Sequence, residues 1–520
     1  MPPPESPISA ARAPSRFRGV FLVIAMLLVS FSIVSLSSLA DFRDEYIRFG
    51  GVSRERLDTV FYVSGHGMGH STRVIVAVQE LIGRGHRVTI VAANGRLFQP
   101  LVEEYGENVV LRLDTNAIDP GVSQRDAVSV DVEKSISNMA NFLETWEERV
   151  EKEVEWLKSL HNVDVVLLDA PFIGAVAAKR LRIPSVLISN FAFDAIFEGL
   201  RKLNQDRNNQ KVVSVCKTLK KLYGSVDYLL RLPGAIPSLQ FDDLTAKGDQ
   251  KMTIFGSFER STVDVVDISN PETLSDNEKV RDLLLSNAKP MAQETHRFGN
   301  FSLTQLLSVR LKPDVGSRVV NLPLVYRRAK LSRNALRASL NISSNAKVVL
   351  ISFGGHSMTS TLRKPVEEAS NDALVPGSKG DLLTKFIESV PEGRVSIAPV
   401  NAFLPDLIQA SDVVVGKLGY GTCSEVVAHQ VPIVYVPRPA FVEEVGLINN
   451  LMKPFGMGVE MSQNDFYAGR WSLSILAAYE LKRKGPAMRI KTGGEKIAID
   501  CVESIVETGR LPLHWGERLI

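Results

Sequence analysis

A glycine-rich turn near the start of the chain's body ends in a histidine that could do acid–base chemistry. It reads GHGMGH, with glycines at Gly65, Gly67 and Gly69 and with His70 at its end. A dinucleotide-binding fingerprint needs glycine at the sixth position and an acidic residue ending the next strand. Here the sixth residue is His70 and the next strand ends at Asn94, so NAD binding is disfavoured. Because an imidazole titrates near neutral pH, His70 is a candidate general base.

A second turn, GKLGYGTCSE, ends at Glu425 and has the composition of a phosphate site. Its glycines let the backbone approach a ligand, and the predicted helix start offers unpaired N–H groups and the positive end of a dipole. Glu425 is suited to accept hydrogen bonds from ribose hydroxyls. A third turn of this kind follows the strand KVVLIS. The candidate donor contacts in the two turns are Gly354, Gly355, His356, Gly419, Gly421, Thr422, Ser424 and Glu425.

Each turn taken alone has a purely structural interpretation. The glycines could serve only to permit tight turns, and Gly-x-Gly-Thr is also a good helix start. His66 and His70 are four residues apart, but no H-E-x-x-H glutamate lies between them, so a metal site is disfavoured. A P-loop is also disfavoured, because no G-x-x-x-x-G-K-[ST] motif occurs. Three glycine turns at strand ends, in two halves of the chain, favour a ligand.

Alternating strands and helices must position these turns, and this alternation predicts an α/β protein with parallel sheets. The pattern starts twice, which predicts two Rossmann-like lobes that face each other across a cleft. Asp169 ends a strand of the first lobe and could orient His70. The predicted divisions are a first lobe at 58–235, an insertion or linker at 236–318, a second lobe at 319–480 and a helical tail at 481–520.

The N-terminus predicts a membrane anchor. Residues 1–18 are Arg-containing, residues 19–40 carry no charge, and an acidic stem follows at 41–57. About 20 apolar residues span a bilayer, and the preceding positive charge predicts a cytosolic tail. We therefore expect a single-pass type II protein whose body faces the ER or Golgi lumen. A cleaved signal peptide, giving a secreted protein, is the alternative.

Charge and cysteine usage exclude several classes of function. The 61 basic and 58 acidic residues give a net charge of only +3, which argues against a nucleic-acid partner. The three cysteines are Cys216, Cys423 and Cys501, and they lie far apart in the sequence. Neither a disulfide framework nor a thiolate zinc site is therefore expected.

Ordered blocks of the sequence resemble the glycosyltransferase-like amino-terminal region of L-arabinokinases. They begin with SGHGMGHSTRVIVAVQELIGRGHRVTIV and continue through DAP at 169–171, SNFAFDAIF at 189–197 and LLRLPG at 229–234. NLPLVYRRAKLSR, SFGG and ASDVVVGKLGYGTCSEVVAHQVPIVYVPR follow, then a segment containing Glu443 and Glu444. The resemblance covers most of residues 58–480 outside the insertion. More distantly, the same blocks are similar to the bacterial GT-B transferase that adds N-acetylglucosamine to the cell-wall lipid precursor.

The resemblance implies a GT-B fold and an inverting, metal-independent transferase that uses a UDP-type sugar donor and no cofactor. The donor would bind the second lobe, with its diphosphate at 419–422, and His70 would act as base on an acceptor that is a glycan, a lipid or a small molecule. The sequence contains no D-x-D triplet to hold a metal–diphosphate.

Two departures from these relatives limit what is carried over. Glu443 and Glu444 stand where the bacterial enzyme uses glutamines to contact the sugar, so the donor sugar is open. The kinase half of arabinokinases has no counterpart in these 520 residues, so L-arabinose phosphorylation is not expected. A non-catalytic module that binds a nucleotide sugar or a sugar is the alternative function.

Overall fold

The computed structural model describes residues 56–241, 318–353 and 402–512, apart from 66–67, 115–117, 127–128, 161, 205, 207 and 439. The predicted membrane segment, most of the insertion, Gly67 and the third turn at Gly354, Gly355 and His356 lie outside these residues. Within the described ranges, no helix is both long enough and apolar enough to cross a membrane.

The strands form two parallel sheets and a small hairpin. Their bounds are β1 Asp58–Val63, β2 Arg87–Ala92, β3 Val109–Leu113, β4 Gln124–Asp126, β5 Ser129–Val130, β6 Val165–Asp169, β7 Ser185–Ser189, β8 Tyr228–Arg231, β9 Val319–Asn321, β10 Val349–Ser352, β11 Val413–Gly416, β12 Ile433–Tyr435 and β13 Gly458–Glu460. The first sheet has the order β3-β2-β1-β6-β7-β8-β9 and the second the order β10-β11-β12-β13. The predicted α/β class with parallel sheets is confirmed.

Helices cover the faces of both sheets. Their bounds are α1 Met68–Gly83, α2 Gln99–Tyr105, α3 Val132–Glu144, α4 Trp146–Ser159, α5 Ile173–Leu181, α6 Phe193–Leu203, α7 Gln210–Tyr223, α8 Arg333–Ser339, α9 Leu404–Ala410, α10 Tyr420–Ala428, α11 Glu443–Leu447, α12 Lys453–Phe455, α13 Gln463–Tyr467, α14 Ser472–Lys484 and α15 Gly494–Thr508. A π-helical turn at Ile448–Met452 joins α11 to α12.

The first sheet reverses its strand order between β1 and β6. Strand β1 lies between β2 and β6, with Phe61 opposite both Ile90 and Leu167. Strands β6 and β7 are buried along their whole length, as expected where helices cover both faces. The loops that leave β1 and β6 at their carboxyl ends therefore diverge to opposite faces and open a crevice, the usual place for a ligand in such sheets.

Helix α15, near the end of the described chain, packs along α1 of the first lobe. The Arg84 guanidinium that follows α1 donates hydrogen bonds to Asp500 at 2.6 Å and to Glu503 at 3.0 Å. Nε2 of His86 lies 3.0 Å from the same Glu503. These contacts hold the C-terminal helix against the first lobe.

One strand differs from the predicted division into lobes. We placed the start of the second lobe at residue 319, but β9 pairs with β8 in the first sheet, with Leu230 opposite Val320. The segment VVN is too short for periodicity to show which sheet it joins. The connection between the lobes therefore follows β9 rather than preceding it.

Candidate functional site

His70 and Asp169 are brought together by neighbouring strands. His70 lies in the first turn of α1, which follows β1, and Asp169 is the last residue of β6. Because Val63 pairs with Asp169 in the sheet, both carboxyl ends reach the same point. His70 Nδ1 lies 3.3 Å from Asp169 Oδ2, and His70 is 8% exposed while Asp169 is fully buried. The predicted pairing is thus present in the geometry.

Arg73, one helical turn after His70, completes this cluster. Its Nε donates to Asp169 Oδ2 at 2.9 Å and its Nη2 to Oδ1 at 2.5 Å. Nη1 donates to the side-chain oxygen of Asn190 at 2.6 Å, and Nη2 also lies 3.1 Å from Ser189 Oγ and from His70 Nδ1. The sequence analysis missed Arg73, although its spacing of three from His70 places both on one helix face.

The hydrogen-bond donors of this cluster favour one tautomer of His70. Nη2 of Arg73 has two protons, and Asp169 Oδ1 and Ser189 Oγ are both placed to accept them. The Ser189 hydroxyl in turn donates to Asp169 Oδ1 at 3.2 Å. With those protons used, His70 Nδ1–H donates to Asp169 Oδ2. Nε2 is then left with a free lone pair, as a general base requires.

The charges of Asp169 and Arg73 stabilise each other. Burial alone would raise the pKa of Asp169, but the Arg73 guanidinium and then His70 outweigh it and lower that pKa. Burial opposes the charge of Arg73, yet Asp169 and, more weakly, Glu443 raise its pKa. Asp169 is therefore an ionised carboxylate shared by an arginine and a histidine.

The backbone after Asp169 is strained. Ala170 has a backbone φ of +75°, a left-handed conformation that residues other than glycine rarely adopt. The hydroxyl of Tyr223 donates to the Ala170 carbonyl and accepts from the N–H of Phe193 at 3.0 Å. Such strain costs about 1–3 kcal/mol and persists where the surroundings fix it. Here Tyr223 fixes the loop that aims Asp169.

The two glycine turns meet where the lobes touch. Gly421, in the first turn of α10, lies so close to α1 that a Cβ there would be 2.7 Å from Thr72 Oγ1 and 3.6 Å from Gly69 Cα. The ring of Tyr420 lies 4.8 Å from the Arg73 guanidinium. The start of α10 therefore faces the cluster of His70, Asp169 and Arg73 directly.

Some of the α10 residues expected to contact the sugar donor already use their hydrogen-bonding groups within the protein. Gly419 is the N-cap residue of α10, in an extended conformation, and Thr422 is half-buried in its first turn. The Ser424 hydroxyl donates to the carbonyl of Gly421 at 2.9 Å. Ser424 is thus bonded within its own helix, which begins at Tyr420 directly after its N-cap Gly419. At the first turn, Gly65 is tightly packed, because a Cβ there would lie 2.6 Å from that of Ala93.

Glu425 is buried with half of its carboxylate used. Oε1 accepts a hydrogen bond from Arg327 Nε at 2.8 Å, while Oε2 is buried and has no partner among the described residues. Burial raises the pKa of Glu425, and Arg327 only partly offsets this. Arg327 in turn lies 5.3 Å from the ring of Phe403. A buried acceptor without a donor is uncommon and suits a ligand hydroxyl.

Glu443 and Glu444 are neighbours in sequence with different surroundings. Glu443 Oε1 accepts a hydrogen bond across the lobes from Asn190 Nδ2 at 3.0 Å. Glu444 accepts from Arg438 Nε at 2.6 Å and from the Arg438 backbone N–H at 2.8 Å. Glu443 is therefore joined through Asn190 to Arg73, while Glu444 is paired inside its own lobe.

Lys417, between β11 and α10, is a residue that the sequence analysis did not single out. Burial, together with the charge of Arg438, lowers its pKa to about 7, while Glu444 and Glu443 act in the opposite direction. A largely buried ammonium at the carboxyl end of β11 therefore titrates near neutral pH beside the candidate donor turn.

The first lobe also contains a cavity of about 350 Å³ that includes Asp114, Phe142 and Ile173 in its lining. Asp114 directly follows β3, and Ile173 begins α5 just after Asp169. Most of its lining residues are charged, and none of His70, Arg73 and Asp169 is among them.

Comparisons with known proteins agree with this arrangement. Residues 57–229 match a family model described as glycosyl transferase family 1. L-arabinokinase of Arabidopsis thaliana is 27% identical over 435 residues, which are 83% of this chain and 33% of that protein. The UDP-N-acetylglucosamine–N-acetylmuramyl-(pentapeptide) pyrophosphoryl-undecaprenol N-acetylglucosamine transferase of Carboxydothermus hydrogenoformans is 26% identical over 119 residues, 21% of this chain and 31% of that protein. A UDP-glucosyltransferase structure from Polygonum tinctorium aligns with a TM-score of 0.45 at 14% identity, covering 88% of this chain and all of the other.

The matched part of these curated relatives is about a third of their own length. The resemblance to L-arabinokinases that the sequence analysis described is confirmed as a similarity over most of the chain. The family match spans the first lobe, including His70, Arg73 and Asp169. Two parallel Rossmann-like sheets are what the GT-B prediction requires.

Proposed function

We propose that the chain is an inverting, metal-independent GT-B glycosyltransferase that uses a UDP-type sugar donor. The observation that carries the proposal is the meeting of two groups at the contact between α1 and α10. One is the His70–Asp169 pair, with a distance of 3.3 Å, and the other is the helix start at Gly419–Thr422. A base and an anion-binding helix start are the two parts that transfer from a nucleoside diphosphate needs.

In the proposed reaction, Asp169 holds Nδ1–H of His70, and Nε2 takes the proton of the acceptor hydroxyl. The acceptor oxygen forms a bond to the anomeric carbon of the donor sugar, opposite the diphosphate. The bond between that carbon and the diphosphate oxygen breaks, and the diphosphate leaves with the electron pair. Backbone N–H groups at the start of α10 stabilise the charge that develops there. A single displacement of this kind inverts the anomeric centre.

The nucleoside half of the donor would lie against Glu425. Its Oε2 is buried and without a donor, so a ribose hydroxyl would satisfy it. Because Gly421 lies against Gly69 and Thr72, a diphosphate reaches the N–H groups of α10 only if the lobes separate slightly.

The decisive experiment combines a donor screen with two variants of the full-length protein. Thermal shift across nucleotide sugars identifies the donor, and release of the free nucleotide measures transfer. His70→Ala is expected to lower turnover by about 10²–10⁴-fold and to leave donor affinity within a few-fold. Glu425→Ala is expected to weaken UDP binding by roughly 1–3 kcal/mol. His66→Ala, a histidine of the same turn, is the control for His70 and should have a smaller effect.

Three outcomes separate the alternatives. Normal transfer by His70→Ala would disprove the mechanism even if the protein is a transferase. Unchanged UDP affinity in a folded Glu425→Ala variant would remove Glu425 from the donor site. Tight binding of a nucleotide sugar with no turnover for any acceptor would favour the non-catalytic binding module.

A further inference from the structure

Arg73 occupies a position that the proposed reaction does not by itself require. It is almost completely buried and contacts His70, Asp169, Ser189 and Asn190 of its own lobe. It is also the residue of this cluster that lies over the ring of Tyr420, on the helix start of the other lobe. Both halves of the proposed site thus converge on one guanidinium.

We propose that Arg73 is a positioning residue: it holds the Asp169 carboxylate by both oxygens and offsets its charge, so that the carboxylate orients the His70 ring while the guanidinium beside Nδ1 opposes protonation of that ring. The catalytic importance of Arg73 rests on the proposed function. The electrostatic effect of Arg73 on His70 does not depend on that function. An aspartate alone beside a histidine favours the imidazolium, whereas a cation within 3.1 Å of Nδ1 opposes it. Arg73 supplies that cation and at the same time neutralises the aspartate.

In the part of the chain that the structure describes, the groups facing this cluster come from both lobes, and they include the buried phenol of Tyr420 from α10. Asp169 comes from β6, and Ser189 and Asn190 contribute only neutral dipoles from the end of β7. From the second lobe, Glu443 is joined to Asn190 at 3.0 Å, and its negative charge also acts on Arg73. Burial lowers the pKa of Lys417, which interacts electrostatically with Glu443, to about 7, so a pH–activity profile alone would not isolate His70.

The test therefore observes His70 directly. Histidine-labelled full-length protein is titrated by nuclear magnetic resonance, and a His70→Asn variant identifies the His70 signal among the eight histidines. Arg73→Gln is expected to move the titration midpoint of His70 upward by about one pH unit or more, because the Asp169 charge is no longer shared. Arg73→Lys keeps a cation but cannot hold both oxygens of Asp169, and is expected to give a midpoint between those of the wild type and Arg73→Gln.

Arg84→Gln is the matched control. It also removes an arginine that is paired with carboxylates, but from about three helical turns farther along the chain. The His70 midpoint is expected to be unchanged in this variant. A wild-type midpoint in folded Arg73→Gln, or an equal shift in Arg84→Gln, would overturn the proposal.

A second comparison covers the case in which Arg73→Gln leaves a buried carboxylate unpaired and does not fold. In an Asp169→Asn background no such carboxylate remains, and adding Arg73→Gln is again expected to raise the midpoint, since it removes the cation. No rise there would also overturn the proposal. Because this readout needs no turnover, an inactive wild-type protein would refute the proposed function and still leave the role of Arg73 decided.

Discussion

Glu443 and Glu444 provide a sharp test of which sequence-predicted donor contacts are free to act. Both are nearly buried at the start of α11, and both can be changed to glutamine, which keeps the shape and removes the charge. The structure predicts that Glu444→Gln destabilises the protein strongly and that Glu443→Gln does not. A matched pair of neighbouring substitutions cancels most differences in local helix propensity.

The magnitudes follow from the partners of each carboxylate. Glu444 and Arg438 form a buried ion pair with side chains only 4% and 2% exposed. Removing one member leaves an uncompensated charge, which costs about 3–5 kcal/mol. Glu443 bonds the neutral amide of Asn190, and the oxygen of a glutamine accepts the same hydrogen bond. We therefore expect Glu443→Gln to cost no more than about 1.5 kcal/mol.

The assay is equilibrium urea unfolding at pH 7.5, followed by circular dichroism, with the two variants and the wild type measured side by side. A lower midpoint with an unchanged slope reports a true loss of stability. Donor affinity of the folded Glu443→Gln protein is measured in parallel, since Glu443 is the glutamate that reaches the interlobe network. Equal losses of stability in the two variants would refute this assignment of roles.

Two further predictions concern stability. The folded-state pKa of Lys417 is about 7 against an unfolded value near 10.4, so its charge destabilises the fold fully below pH 7 and progressively less as pH rises toward 10. Lys417→Met should therefore raise Tm more at pH 6 than at pH 9, and an equal change at both would contradict the cause. Gly421→Ala should lower the unfolding midpoint because the new methyl would lie 2.7 Å from Thr72 Oγ1, whereas Gly419→Ala, with no atom within 4 Å, should not. Equal midpoints for the two alanine variants would count against a tight contact between the lobes.

The sequence predicted the parallel sheets because they depend on local patterns, and it offered the pairing of His70 with Asp169 as a hypothesis from the position of Asp169 at a strand end. Buried β-branched runs such as VVLLD indicate strands of a covered parallel sheet, and a residue at a strand end lies at the carboxyl edge. Once β1 and β6 are neighbours, His70 and Asp169 have to meet. The adjacency of β1 and β6, which are far apart in sequence, is the long-range information that the local patterns did not contain.

The partners of the second-lobe residues could not be predicted in this way. Arg327 pairs with Glu425 across 98 positions, and Asn190 pairs with Glu443 across 253. Neither spacing has a periodicity that a sequence pattern could reveal. The pairing of Glu444 could not be predicted either, although its partner Arg438 is only six residues away, because the two residues lie on opposite sides of a turn. The resemblance to L-arabinokinases indicated candidate site residues but did not show which of them already have hydrogen-bond or ion-pair partners within the protein.

The role of the glycines is settled at one of the two turns by geometry rather than by composition. A structural interpretation would have them permit a tight turn, which requires left-handed backbone. Gly419 is extended at φ of −135°, and Gly421 lies inside the first turn of α10, so neither conformation needs glycine. Glycine is required at position 421 for steric reasons, because Thr72 and Gly69 of the other lobe leave no room for a Cβ there. The second glycine turn is therefore shaped by the approach of α1, and a substitution there acts on the contact between the lobes before it acts on the turn.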